Sequence, residues 1–159
     1  IKKRLMEEDL DERCPVEVAS TGHSKVMIGI QKRSKLDSLN PNLAALKALS
    51  AEINCNGYFV FTLASQMEGV LSHGRMFAPA IGIAEDPVTG NANGPLGAYL
   101  VKHKLAVFEG AQFCFKGEQG NAIGRSGIVD VYVKVEKEEP VQVRIGGEAV
   151  IVFKTEMTL

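Results

Sequence analysis

Short apolar runs and strict alternations dominate the hydrophobic pattern of this chain. "DVYVKVE", within 128–136, alternates apolar and polar residues without a break, which predicts a strand with one buried and one solvated face. Further strands are predicted at "VEVAS" (16–20), "KVMIGIQ" (25–31), "GYFVFTLAS" (57–65), "GVLSHGRMF" (69–77), "AQFCFKG" (111–117), "VQVRIGG" (141–147) and "AVIVFKTEM" (149–157). Turn-like tetrads such as "TGHS" and "KEEP" separate neighbouring runs. Short strands joined in this way argue for an antiparallel sheet, curved or closed, over βαβ units.

Two segments break the pattern. "NPNLAALKALSAEI" (40–53) offers Asn40 as N-cap and Pro41 at the first helical position, with Leu43, Leu46, Leu49 and Ile53 along one stripe. "ANGPLGAYLVKHKL" (92–105) carries Ala92, Leu96, Ala98, Tyr99, Leu100 and Val101, apolar nearly all round, which predicts a helix buried on every side. The fold class expected is therefore α+β: an antiparallel β-barrel wrapped around a central α-helix, with 1–159 as a single domain.

Length and charge narrow the field. A chain of this size buries about 68–70% of its unfolded surface, so a core can form without disulfides or metals. With 18 basic against 19 acidic residues and a net charge of −1, no footprint for nucleic acid or an anionic membrane is present. No apolar run approaches the ~20 residues of a membrane span. The charged start "IKKRLMEEDLDERC" lacks the apolar centre of a signal peptide. Cys14, Cys55 and Cys114 form no CxxC pair, and His23, His73 and His103 supply no HxxxH spacing, so no metal site is expected. Reduced thiols and a cytoplasmic location are expected, with Cys55 and Cys114 as small core residues. His73 and His103 show no partner in the sequence and are expected at the surface.

The chemistry concentrates in "GIAEDPVTGNANGPLGAYL" (82–100), where Glu85, Asp86, Thr89, Gly90 and Asn91 precede the apolar helix. A helix start leaves backbone N–H groups unpartnered and carries about half a positive charge. Gly90 lets backbone approach a ligand, Thr89 and Asn91 cap or donate, and Asp86 suits an amine, a hydroxyl or proton transfer. An ordinary N-cap at Thr89 or Asn91, with Asp86 as a turn residue, accounts for the same letters. Lower-ranked candidates are the donor-rich turn "STGHSK" (20–25), read as a plain connection, and Arg75, which suits a substrate carboxylate or a salt bridge. "KGEQGNAIGRSG" (116–127) has no nucleotide-binding spacing and reads as a loop.

"RMFAPAIGIAEDPVTGNANGPLGAYL" resembles the signature of the PhzF-like (phenazine biosynthesis-like) isomerases, which share the diaminopimelate-epimerase fold. The matching residues are Arg75, Phe77, Pro79, Gly82, Glu85, Asp86, Pro87, Thr89 and Gly90, with Asn91 in place of the usual serine. "STG" (20–22), "QGNAIGRSG" (119–127) and "RIGGEAV" (144–150) extend the resemblance over essentially the whole chain.

The resemblance implies a two-lobed enzyme, each lobe a barrel around a helix whose N-terminus faces a shared cleft and holds a substrate carboxylate. It matches this chain to the C-terminal lobe only. The family's proton-relaying glutamate and active-site histidine belong to the missing N-terminal lobe, and none of the three histidines here is assigned to that role. A chain beginning with Ile1 and resembling half of the family's length is expected to be a fragment, or one piece of a two-chain assembly. An exposed patch is expected where the other lobe would sit.

Asp86 is the implied catalytic residue, and Thr89, Gly90 and Asn91 are the implied substrate-binding residues. The epimerases' catalytic cysteine position falls at Thr89, so two-thiol chemistry is not expected. A cofactor-independent isomerase moving a proton within a small carboxylate-bearing metabolite is the reading this supports, with a homodimer expected. The alternatives are a non-catalytic carboxylate-binding module and a structural dimerisation lobe.

Overall fold

The computed structural model describes residues 5–65 and 67–157. Eight strands, β1 (Glu17–Ala19), β2 (Lys25–Gly29), β3 (Tyr58–Thr62), β4 (Ser72–Ala78), β5 (Ile83–Asp86), β6 (Gln112–Gln119), β7 (Gly127–Glu136) and β8 (Glu139–Gly146), form one sheet. Three helices accompany it: α1 (Arg33–Ser38), α2 (Leu43–Ile53) and α3 (Gly90–Lys102). The strand path is β1-β2-β3-β4-β6-β7-β8, with β5 paired to β4 beside it.

The sheet is mixed rather than antiparallel. β2 with β3 and β4 with β6 are parallel pairs. Parallel neighbours need a crossover, and α1 and α2 supply the first while β5 and α3 supply the second. The path ends at β1 and β8, which do not pair with each other among the described residues. α3 contacts β1 and β2 as well as β6, β7 and β8, so both ends of the curled sheet reach it.

Each face of the sheet is covered by different elements. Ala92, Leu96, Tyr99, Leu100 and Val101 of α3 pack with Met27, Phe59, Phe61, Met76, Phe113, Phe115, Val131 and Val133. Fully burying a large apolar side chain contributes about 1.5–3 kcal/mol, and Leu96, Tyr99 and Leu100 are at most 1% exposed. On the opposite face, Ile30, Leu36, Val60 and Phe77 pack with Leu39, Leu43 and Leu46 of the α1–α2 region. Covering on both faces explains why β3, "YFVFT", is buried at every position and does not alternate.

Several sequence expectations are corrected. The α2 N-cap is Asn42, whose Oδ1 accepts from the Ala45 N–H at 3.1 Å, so the helix starts two residues later than Asn40 and Pro41 implied. Leu49 and Ile53 of its stripe remain 40% exposed, because the face of α2 turned to the sheet runs through Leu43, Leu46 and Ser50. Segment 149–157 forms no strand, and its described apolar side chains are exposed. α1 and β5 are too short for periodicity to reveal. "KEEP" does turn the chain, with Lys137 and Glu138 at φ 51° and 66°, the pattern of a tight two-residue hairpin.

Candidate active site

The far edge of β4 is divided. Its first half, Ser72–Gly74, pairs with β6, and its second half pairs with β5. α3 begins where β5 and β6 part, so Asp86 at the end of β5, Gln119 at the end of β6 and the first turn of α3 meet.

Gln119 holds this junction together. It is 1% exposed, and all four hydrogen-bonding positions of its amide are engaged. Nε2 donates to the Asp86 carbonyl (2.6 Å) and to Thr89 Oγ1 (3.0 Å). Oε1 accepts from the Thr89 N–H (3.2 Å) and from Asn93 Nδ2 (3.0 Å).

Thr89 occupies the N-cap position of α3, yet its hydroxyl makes no capping bond. It turns away from the helix and donates to Asp86 Oδ2 at 2.5 Å. The Thr89 carbonyl accepts from the Ala92 and Asn93 N–H groups, at 3.1 and 3.2 Å. The Gly90 and Asn91 N–H groups have no hydrogen-bond partner among the described residues. Two backbone donors, at the positive end of a buried helix, therefore open beside a carboxylate that Thr89 holds. Asp86, Thr89 and Gly90 are half-buried and Asn91 is exposed, so the mouth is open to solvent.

The chain fixes this geometry locally. Gly120 has φ 86°, and a Cβ there would lie 2.3 Å from the Arg125 carbonyl oxygen and 2.5 Å from that of Pro87. Only glycine lets the loop after β6 fold back over the Asp86–Thr89 connection. Of "KGEQGNAIGRSG" (116–127), expected as a loop, residues 116–119 belong to β6 and the connection begins at Gly120, while Gln119 at the strand's end is the clasp of the site. Gln119 followed by glycine was the available signal. The role itself depends on a contact across thirty residues that no local pattern shows.

The acidic pair splits across the sheet. Glu85 turns to the face opposite Asp86, where Arg75 engages it through Nε (2.9 Å) and Nη2 (2.7 Å). Arg75 Nη1 also donates to the Leu36 and Leu39 carbonyls, at 3.0 and 2.8 Å, closing the end of α1. Arg75 is thus the salt-bridged alternative, fully committed to structure and 7% exposed.

The histidine expectation is overturned. His73 is 2% exposed and lies opposite Glu118 in the β4–β6 register, with Nδ1 2.5 Å from Glu118 Oε2. His103 Nε2 lies 2.7 Å from Glu17 Oε1. Both partners are distant in sequence, which is why composition gave no sign of them. Burial pushes the Glu118 carboxyl up, but Ser126, His73 and Arg33 outweigh it and hold it below the usual carboxylate range. Cys114 is exposed, because alternation along β6 turns Phe113 and Phe115 inward. Cys14 and Cys55 are buried, and burial first, then Asp11, pushes the Cys14 thiol up to about 11. Among the described residues no group of three His, Cys, Asp or Glu side chains is placed to hold a metal ion, and no helix is long and apolar enough to cross a membrane.

Comparison with known proteins places this geometry in a family. Residues 1–155 match the PhzC-PhzF family model, described as phenazine biosynthesis-like protein, and the chain belongs to that family. An uncharacterized isomerase of Clostridium acetobutylicum is 60% identical over 151 residues, covering 95% of this chain and 50% of that protein. The uncharacterized isomerase YddE of Escherichia coli K12 is 47% identical over 155 residues, covering 98% of this chain and 52% of YddE. The crystal structure of a Bacillus anthracis phenazine biosynthesis protein of the PhzF family superposes with a TM-score of 0.78 at 33% identity, over 87% of this chain and 47% of that one. The chain spans about half the length of the relatives it matches.

Proposed function

We propose that this chain is the C-terminal lobe of a cofactor-independent isomerase, and that the α3 mouth is its half of the active site. The observation that carries the reading is the pair of unpartnered N–H groups at Gly90 and Asn91, beside an Asp86 carboxylate steadied by Thr89. The N–H pair receives the carboxylate of a small metabolite. Asp86 faces the remainder of the substrate, where it holds an amine or hydroxyl or passes a proton. Thr89 and Gln119 keep Asp86 in place and contribute no proton themselves.

In this reading an N-terminal lobe supplies the opposing acid–base group and completes the barrel-on-barrel arrangement. Val88 and Ile145 are 40% and 49% exposed, and Ile145 lies against Gly90, so apolar side chains flank the mouth where a second lobe would seat. The isomerase names of the relatives support the reaction class, while the substrate and the homodimer are part of the proposal.

Titration of the 15N-labelled chain with sodium benzoate tests the site. The Gly90 and Asn91 amide signals are expected to move in a saturable way, and Gly90→Val, which places a branched side chain at the mouth, to abolish the movement. Saturable binding that leaves those two signals still, or that survives Gly90→Val, would remove the cradle. For the whole protein, Asp86→Asn is expected to lower kcat at least about 100-fold with little change in KM.

A further inference from the structure

Glu118 and Gln119 are consecutive residues of β6, so their side chains point to opposite faces of the sheet. Gln119 serves the α3 mouth. Glu118 faces the other way, into a cluster that the proposed isomerase does not use. There His73 Nδ1 meets Glu118 Oε2 at 2.5 Å, and His73 Nε2 meets Ser65 Oγ at 2.9 Å. The order is hydroxyl, imidazole, carboxylate, with each ring nitrogen given one partner.

The tautomer follows from the partners. An ionised carboxylate only accepts, so Nδ1 carries a proton, and Nε2 faces the Ser65 hydroxyl. Glu118 is itself fixed by Ser126 Oγ at 2.8 Å on Oε1 and by Arg33 Nη2 at 2.9 Å on Oε2. Ser65 Oγ accepts from the Met67 N–H at 3.2 Å, and both His73 Nε2 at 2.9 Å and the Met67 carbonyl at 3.2 Å lie within reach of its single proton. Glu118 and His73 are 6% and 2% exposed, while Ser65 is half-buried and reachable from solvent. A cavity of about 390 Å³ is lined by Arg33, Asp37, Met67, His73, Glu118 and Asn121, and Ser65 adjoins it through its bonds to His73 and Met67.

We propose that Ser65, His73 and Glu118 form a nucleophilic site for small acyl esters, separate from the α3 mouth. A nucleophile, a base within hydrogen-bond reach and a third group orienting the base are the geometric signature of such a site, whatever the fold. Ser65 Oγ attacks the ester carbonyl carbon as its proton passes to His73 Nε2. The bond to the alcohol oxygen breaks, and His73 returns the proton to that oxygen. Water then attacks the acyl carbon and gives a proton to His73, the bond to Ser65 Oγ breaks as His73 returns that proton to Oγ, and the acid leaves, so that ester and water yield acid and alcohol. Asn121, and the part of the Arg33 guanidinium not held by Asp37 and Glu118, are the donors at the cavity that receive the carbonyl oxygen.

A fluorophosphonate probe, with intact-mass and peptide mass spectrometry on the chain as it stands, tests this. A single adduct on Ser65 is expected, absent in Ser65→Ala, a surface change that leaves the fold intact by circular dichroism. His73→Gln keeps one polar group in the cluster, and is expected to slow labelling and p-nitrophenyl acetate turnover by about 100-fold or more. If His73→Gln does not fold, Glu118→Gln takes its place, and slowing of Ser65 labelling by about 100-fold or more is expected. No adduct, an adduct on another residue, or labelling that persists in Ser65→Ala overturns the proposal. A Ser65 rate no faster than that of an exposed serine in an unfolded peptide overturns it as well.

Discussion

The two polar clusters at the end of β6 are built from neighbouring residues and differ in almost every other respect. The α3 mouth is made of short-range pieces: Asp86, Thr89, Gly90 and Asn91 lie within six positions, and only Gln119 comes from afar. The opposite face assembles Arg33, Ser65, Arg75, His73, Glu85 and Glu118 from five separate segments. The first leaves backbone donors unpaired and open to solvent, while the second satisfies and buries nearly all its charge. A sheet can support both because alternation isolates its faces. One face is left receptive through its backbone donors, and the other locks its charged side chains while Ser65 stays reachable at its edge.

The largest test of that contrast is Arg75→Ala. It leaves Glu85 and the carbonyls at the end of α1 without their partner in a site where both side chains are about one-tenth exposed. Breaking a buried pair costs about 3–5 kcal/mol, and urea unfolding is expected to show a loss in that range. Below the unfolding transition, the Gly90 and Asn91 amide signals are expected to stay where they are. If they shift as far as those of α1, the two faces are coupled and the contrast fails.

Gln119→Leu probes the receptive face. It removes the partner of the Asp86 carbonyl, the Thr89 N–H and Asn93 Nδ2 at similar volume. Each unsatisfied buried group costs about 1–3 kcal/mol, and water at the open mouth recovers part, so a loss of about 2–4 kcal/mol is expected by urea unfolding. Benzoate-induced shifts at Gly90 and Asn91 are expected to weaken together. Thr89→Val is milder. It deletes the hydroxyl between Asp86 and Gln119 while keeping the backbone bonds, and is expected to cost about 1 kcal/mol by the same measurement.

The same contrast explains what was legible in the sequence. The mouth could be read because its residues are contiguous and each type has a local reason to be there. Thr89 and Gly90 precede an apolar run, and Asp86 precedes a proline. The long strands could be read because alternation in "DVYVKVE" is local too. The parallel pairings were hidden, since the His73–Glu118 register joins residues forty-five apart. Without that register His73 is one histidine in an apolar run, and burial with a charged partner is not foreseeable. Segment 149–157 misled for the converse reason: "AVIVF" has strand composition, but among the described residues no neighbouring strand receives it.

Acid titration gives the smallest effect and the sharpest separation of the two faces. The Glu118 carboxyl is held below its ordinary value of about 4.5: burial opposes this, and the Ser126 hydroxyl, His73 and Arg33 overcome it. A carboxyl depressed by folding stabilises the protein fully above its unfolded value, and that contribution disappears as pH falls through the folded one. Asp9, Asp11 and Glu17 are depressed as well, so acid loss in the unaltered chain sums several groups. Comparison with Glu118→Gln isolates the locked face. The stability gap between the two proteins, by urea unfolding, is expected to hold constant from pH 7 to about 5 and to close below about 4. The benzoate response at Gly90 and Asn91 is expected to be the same in both proteins at pH 7. A gap that opens on acidification, or a benzoate response lost in Glu118→Gln, would mean that Glu118 acts through the mouth and that β6 does not insulate its two faces.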